Sequence, residues 1–178
     1  LKESVILVDN TGRMTGTMEK LAAHREGVLH RAFSIFIFNS KGQLLLQQRA
    51  FEKYHSGGLW TNTCCSHPRP YEGTADAAHR RLMEEMGMRC DLKEHFQFTY
   101  RHEFLNGLIE YEYDHVFIGH SDQMPVPDPM EVADYKYVDP GELALALNNH
   151  PATYTPWLII CFVHVNEIVT KGFWKDIT

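Results

Sequence analysis

Three short segments of this 178-residue chain carry side chains suited to chemistry. Asn62-Thr63-Cys64-Cys65-Ser66-His67-Pro68 offers a thiol and an imidazole, and the proline holds His67 to an extended backbone. Glu72-Gly73 follows, leading into a segment with Arg80, Arg81, Glu84 and Glu85 at helical spacing. Glu110-Tyr111-Glu112 puts two carboxylates on one strand face through the period of two. A thiol opposite a carboxylate, beside groups able to hold a metal ion and a diphosphate, points to proton transfer rather than bond hydrolysis.

The middle segment keeps the spacing of a diphosphate-handling frame, G-x5-E-x7-R-E-U-x-E-E-x-G-U, where U is a large aliphatic residue. Ser66, Glu72, Arg80, Arg81, Leu82, Glu84, Glu85, Gly87 and Met88 fall on it, with Ser66 replacing the first glycine and Arg81 a glutamate. A hydrolase wants a carboxylate cluster on this helix, because several Mg2+ ions must neutralise phosphates and activate water. Arginine in the cluster weakens multi-metal loading and supplies a planar fork for phosphate oxygens. The edit favours holding a diphosphate over cutting it. The blander alternative is a surface helix with Arg80–Glu84 and Arg81–Glu85 pairs.

Eleven histidines are the compositional oddity. His24, His30 and His67 fall in loops or at strand ends, and with Glu110 and Glu112 they would suit Zn2+ or Mn2+ at an expanded coordination number. No single spacing among them is a zinc signature. Each histidine alone could be a solvated or hydrogen-bonded side chain, and Glu110 and Glu112 an exposed face with Tyr111 and Tyr113 packed inside. His102, His115 and His120 are read as structural, and His55 receives no role. Of the adjacent Cys64 and Cys65, only one can face a pocket if the segment is extended. Trp60 and Trp157 could stabilise a desolvated cation by about 2 kcal/mol, or be core aromatics.

These residues need a scaffold. Residues 5–8 are expected as a strand with a turn at 9–12, and residues 18–23 as a helical turn entering a loop that holds His24 and His30. Residues 33–38 and 43–49 are expected to pair as a hairpin around the turn at 39–42. Residues 59–65 should be extended, and Thr74 should cap a helix that reaches Met86 and stops at Gly87. Residues 96–104 and 109–118 form a second hairpin, 135–138 a short strand, and 142–147 and 157–170 the closing helices. Strands and helices mix without a regular βαβ alternation, so one α+β domain over residues 1–178 is expected, built on a mixed sheet sandwich.

A net charge of −6 argues against a dedicated nucleic-acid binder. Four cysteines without a CxxC pair fit free thiols in a reducing cytoplasm. No apolar run is long enough to span a bilayer, and no secretory leader is expected.

Residues 62–68, the altered frame (a Nudix box) and Glu110-x-Glu112 together resemble the type 1 isopentenyl-diphosphate isomerases of the Nudix superfamily. The likeness extends through residues 18–24, 30–34, 58–62 and 155–157, nearly the whole chain; where the family carries glycine after its cysteine, Ser66 stands here. It implies an α+β, Nudix-like mixed β-sheet sandwich flanked by helices. It also implies interconversion of isopentenyl and dimethylallyl diphosphates by protonation and deprotonation through a tertiary carbocation. Carried over by position, Cys65 and Glu112 would be the opposed acid/base groups, with Tyr100 assisting Glu112 and Trp157 facing the cation. His24, His30, His67, Glu110 and Glu112 would ligate one Zn2+ or Mn2+. Lys20, Ser34, Arg49, Lys53 and Arg81 would contact the diphosphate, with one Mg2+ held by Glu85 and the backbone carbonyl of Cys65. A monomer or weak oligomer is expected, acting on a small diphosphate and on neither nucleic acid nor membrane. Two rivals remain: a Nudix pyrophosphohydrolase, against which Arg81 counts, and a non-catalytic metal- or diphosphate-binding module, which has no use for Cys65 or Trp157.

Overall fold

The structure, a computed structural model, describes residues 3–53 and 55–171. Its strands are β1 (Ser4–Val8), β2 (Met14–Glu19), β3 (His30–Phe38), β4 (Leu44–Arg49), β5 (Trp60–Thr61), β6 (Cys64–Ser66), β7 (Leu92–Glu103), β8 (Ile109–His120) and β9 (Val132–Val138). The helices are α1 (Lys20–Glu26), α2 (Thr74–Met86), α3 (Pro140–Asn149) and α4 (Pro156–Thr170). The α+β reading holds, as one mixed sheet with helices on both faces.

β3 is the hub. It pairs parallel with β8 from His30↔Glu112 to Phe38↔His120, antiparallel with β6 through Ser34↔Cys65, and antiparallel with β1 at Leu7↔His30. The expected β3–β4 hairpin exists only at its base. The two strands pair at Phe38↔Leu44 and then part, β4 turning to β5 and β9. The split leaves backbone groups that need partners, and residues 62–63 supply them. The Ile37 N–H donates to Thr63 Oγ1 (2.9 Å), which donates to the Leu45 carbonyl (2.6 Å). Asn62 Nδ2 donates to the carbonyls of Ile35 (3.2 Å) and Cys64 (2.9 Å). Two polar side chains replace a stretch of ladder, and the split between β3 and β4 opens into the cleft described below.

Alternation along β3 divides the core. Phe33, Ile35 and Ile37 pack with Cys64 against Ala77, Ala78, Leu82 and Met86 of α2. Phe36 and Phe38 pack with Val116 and Ile118 under Leu158, Cys161, Phe162 and Val165 of α4. At about 25 cal/mol per Å2 of buried apolar surface, these two layers supply most of the driving force for folding.

Several local expectations are corrected. Residues 14–19, where no strand was expected, form β2, an edge strand whose residues are half-buried or exposed, so that no apolar alternation announces it. Met18 belongs to that strand. The helix starts at Lys20, capped by the Glu19 carboxylate accepting from the N–H groups of Leu21 (3.1 Å) and Ala22 (3.0 Å). His24 therefore lies in α1 and not in a loop. The N-cap of α2 is Gly73, without a side-chain hydrogen bond, and Thr74 is its first helical residue. Gly87 does end α2, at φ +63° and with Val126 O 2.5 Å from where a Cβ would stand. Among the described residues no helix is long and apolar enough to cross a membrane.

Candidate active site

Residues directly opposite in a ladder share a face, so register alone assembles this site. On the α4 face of the sheet, β3 contributes His30, β6 contributes Cys65, β8 contributes Glu110 and Glu112, and β7 contributes Tyr100 opposite Glu112. Farther along, the same face carries Phe36, Val116 and Ile118 beneath α4. The site is the polar end of an otherwise apolar layer. Cys64, one residue from Cys65, points the other way into the α2 core, as alternation requires.

Cys65, Tyr100, Glu110 and Glu112 line one cleft. Its wall includes Lys20, Arg49, Lys53, Cys65, His67, Arg81, Glu85, Tyr100, Glu110, Glu112 and Trp157, each expected from sequence. Gln47, His55 and Glu131 line it as well and were not anticipated. Gln47 left a faint signal as a polar residue ending the apolar run Leu44-Leu45-Leu46, and His55 as a histidine without a role; Glu131 left none. Ser34 does not line the cleft. Its hydroxyl donates to Asp114 Oδ2 at 2.7 Å, and both groups are buried in the sheet.

Below the cleft, His24, His30, His67 and Glu112 bring four ligand-capable atoms within 4.8 Å of one another. His30 Nε2 is 3.2 Å from His67 Nε2 and 3.6 Å from Glu112 Oε1, which is 2.8 Å from His67 Nε2. Bonds of about 2.0–2.1 Å to a shared ion place neighbouring donors about 3.0–3.4 Å apart, so the spacing fits one cation. His24 donates Nδ1–H to the Lys20 carbonyl (2.7 Å) and His30 donates Nδ1–H to the Val28 carbonyl (2.8 Å). Each bond fixes the tautomer that turns the Nε2 lone pair inward, the usual support for a metal-ligating imidazole. Burial pushes the imidazole of His67 down to about 3, so it stays neutral and able to ligate. Glu110 lies in an adjoining group with His24 and His55. The exposed-face alternative for Glu110 and Glu112 fails, since they are 4% and 7% exposed.

The Tyr100 hydroxyl donates to Glu112 Oε2 (2.6 Å) and lies 3.0 Å from Glu110 Oε2. Burial works against ionising Glu112, but His30 and His67 outweigh it and hold the carboxyl well below its usual range. Burial, with the charge of Glu112 adding to it, drives Glu110 well above. Burial also raises the Cys65 thiol, against the pull of Arg49, so the sulfur keeps its proton at neutral pH. Trp157, in the first turn of α4, is buried against the cleft with the Arg49 guanidinium 5.2 Å from its ring centre. Trp60 faces elsewhere, under Lys136 Nζ at 4.0 Å.

The frame residues divide by role. Arg80 pairs with Glu72 through two bonds (2.6 and 2.8 Å) and with Glu84 (3.1 Å), bracing the loop before α2. Arg81 holds Glu84 (2.7 Å) and Glu85 (2.5 Å) and approaches Glu131 (3.4 Å), which also pairs with Lys53. Both helix ion pairs expected of a plain surface helix are therefore present, but Arg81 and Glu85 turn toward the cleft. Glu85 also accepts from Gln47 Nε2 at 2.8 Å.

Sheet, box and cleft are those of a Nudix domain, and the NUDIX domain family matches residues 28–158. DR0079 from Deinococcus radiodurans shares the fold at a TM-score of 0.71 with 18% identity, over 83% of this chain and 90% of that one. Within that class the chain belongs to the isopentenyl-diphosphate Delta-isomerase family. It is 54% identical to isopentenyl-diphosphate Delta-isomerase 2 of Aromatoleum aromaticum over 93% of its length and 87% of the relative's. It is 53% identical to the isopentenyl-diphosphate Delta-isomerase of Pectobacterium atrosepticum, over 92% and 91%.

Proposed function

We propose that this chain is an isopentenyl-diphosphate Delta-isomerase whose acid/base pair is Cys65 and Glu112. One observation carries the reading: β6 and β8 flank β3 and present a thiol and a Tyr100-bonded carboxylate to one cleft under Trp157. One member of the pair adds a proton to the terminal alkene carbon, the π electrons forming the new C–H bond and leaving a tertiary cation. The other takes a proton from the carbon on the opposite side, whose C–H electrons become the new double bond. One proton enters and one leaves, so the pair needs one proton between its members. That matches a half-buried thiol that retains its proton and a carboxylate that has lost its own. Trp157 faces the cation with its π surface and keeps water from trapping it.

The cleft's charges support the cofactors. Lys20, Arg49, Lys53 and Arg81 share the cleft with the carboxyl groups of Glu85, Glu110, Glu112 and Glu131, and cations bound to those carboxyl groups would leave the basic side chains to a diphosphate. His24, His30, His67, Glu110 and Glu112 would hold one Zn2+ or Mn2+, and Glu85 with the Cys65 carbonyl one Mg2+. When bound, the first ion fixes the orientation of Glu112 and the second neutralises diphosphate charge. Lys20, Arg49, Lys53 and Arg81 hold the diphosphate, and Ser34, committed to Asp114, is left out of the set. The protein acts as one domain over residues 1–178, as a cytoplasmic monomer or weak oligomer, its cysteines all unpaired thiols.

The hydrolase reading loses support because only Glu85 of the box carboxylates lines the cleft, Glu72 and Glu84 being engaged by arginines. Incubation of isopentenyl diphosphate with the protein, Mg2+ and Zn2+, followed by proton NMR, tests the choice. Growth of the allylic dimethyl signals is expected. An unchanged spectrum, with phosphate released from nucleoside diphosphate derivatives, would overturn it.

A further inference from the structure

Behind the Trp157 end of the cleft lies an apolar groove, and the two are separated by the ring of His55. Among the described residues, His55 alone lines both. It stands in the turn between β4 and β5, buried, with Trp157 edge-on at 5.9 Å and Phe104 stacked at 4.9 Å. Two further elements run past this partition. On one face of β7, Tyr100 lines the cleft and His102, two residues on, lines the groove. In the first turns of α4, Trp157 faces the cleft, whereas Pro156 and Ile160 face the groove. The groove is therefore a continuation of the cleft, interrupted by one imidazole.

The turn that carries His55 is pinned to β4. The Arg49 N–H donates to the Leu59 carbonyl (2.9 Å), and the Gly58 N–H donates to the Arg49 carbonyl (3.0 Å). A Cβ on Gly57 would strike the Phe51 carbonyl, so the turn is already packed as closely as a glycine permits. The ring itself has its Nε2 3.5 Å from Glu110 Oε1. A ring held on this many sides is a fixed wall. We propose that His55 sets the length of hydrocarbon chain the cleft accepts, and that the groove behind it takes the tail of a longer prenyl diphosphate when the imidazole is removed. The inference rests on the isomerase reading above. With the diphosphate at the basic side chains and the reacting carbons among Tyr100, Glu112 and Trp157, a chain longer than five carbons runs into the His55 ring. A methylene driven against a fixed, packed ring is rejected, whereas one that reaches apolar contact is held more tightly. Leu59, Phe104, Leu105 and Ile159 offer that contact on the far side.

The test is isothermal titration calorimetry, with Zn2+ and Mg2+ supplied, using dimethylallyl diphosphate and its ten-carbon homologue, in which one terminal methyl carries a further prenyl unit. The readout is the ratio of the two dissociation constants, because loss of the His55–Glu110 contact would weaken both ligands alike. Wild type is compared with His55→Ala, Phe104→Ala and the double variant His55→Ala with Ile160→Asp, circular dichroism confirming that each is folded. Phe104→Ala keeps the Glu110 contact and frees the ring to turn aside, so it carries the test if His55→Ala does not fold. Wild type is expected to bind the homologue at least about tenfold more weakly than dimethylallyl diphosphate. His55→Ala should close that gap by about tenfold or more, and Phe104→Ala by about threefold. Ile160→Asp puts a carboxylate where the tail would lie and should restore the gap. A ratio unchanged in both single variants, or wild type that binds the two ligands equally, would overturn the wall. A gain that survives Ile160→Asp would overturn the assignment of the tail to the groove. Wild type that binds neither diphosphate would overturn the isomerase reading and the inference with it.

Discussion

Replacing Tyr100 by Phe removes one oxygen atom from the floor of the cleft and keeps the ring that packs there. The lost hydroxyl is 2.6 Å from Glu112 and 3.0 Å from Glu110 and has one proton to give, so the shorter bond, to the carboxylate held ionised, is the one at stake. Hydrogen bonds to charged groups contribute about 1.5–3 kcal/mol. In the proposed reaction Glu112 changes its protonation state, so the bond strengthens in one half of the reaction and weakens in the other. It cannot act as uniform binding. Most of its free energy should appear in kcat, as a fall of about 10- to 100-fold at 1.4 kcal/mol per decade. KM should move by less than about threefold, because the hydroxyl bonds carboxylates and none of the cleft's cations. Steady-state isomerisation of isopentenyl diphosphate by the metal-loaded variant gives both constants. A kcat within twofold of wild type, with metal content unchanged, would refute the assignment of Tyr100 to proton delivery.

Arg81→Glu restores the carboxylate of the common box and removes a guanidinium; KM for isopentenyl diphosphate should rise about 10- to 100-fold, as expected for a charge-assisted bidentate contact. Unchanged KM in the same assay would remove Arg81 from the diphosphate site. Gly87→Ala forces a Cβ into the left-handed region and to 2.5 Å from Val126 O, so urea denaturation should show a loss of about 1–3 kcal/mol. A change below about 0.5 kcal/mol would mean that the α2 cap relaxes freely. Burial pushes His55 and His67 down to about 3, against an unfolded value near 6.5. The unfolded chain binds those protons and the folded one does not, so their contribution is present above pH 6.5 and lost as pH falls toward 3. The slope is up to about 1.4 kcal/mol per pH unit for each. Chemical denaturation of the metal-free protein at pH 7, 6 and 5 measures it, and a flat midpoint would contradict neutral, buried imidazoles.

The features legible in the sequence were those with a local cause. Gly87 marked the end of α2, the alternation around Cys64 and Cys65 allowed only one thiol to face the cleft, and Asn106-Gly107 marked the β7–β8 turn. What could not be read was set by pairing across the chain. The parallel ladder that puts His30 beside Glu112 joins residues 82 positions apart in sequence, and its first sign is the three-dimensional register. The same holds for the split between β3 and β4, where the side chains of Asn62 and Thr63 take over ladder hydrogen bonds that a hairpin would have made. Ser34 had the right type and neighbourhood for a phosphate contact, yet a buried carboxylate on the adjacent strand claims its hydroxyl. β2 escaped notice because an edge strand facing solvent on much of its length needs no apolar pattern.

The most direct test of the account is deuterium transfer. Isopentenyl diphosphate is incubated in heavy water with Mg2+ and Zn2+, using wild type and Cys65→Ala, and the dimethylallyl diphosphate is analysed by mass and NMR. Deuterium in a methyl group of the product with wild type, and turnover reduced at least about 100-fold in the variant, is the expected result. Isomerisation without label from solvent, or equal turnover by Cys65→Ala, would contradict protonation and deprotonation by the Cys65–Glu112 pair.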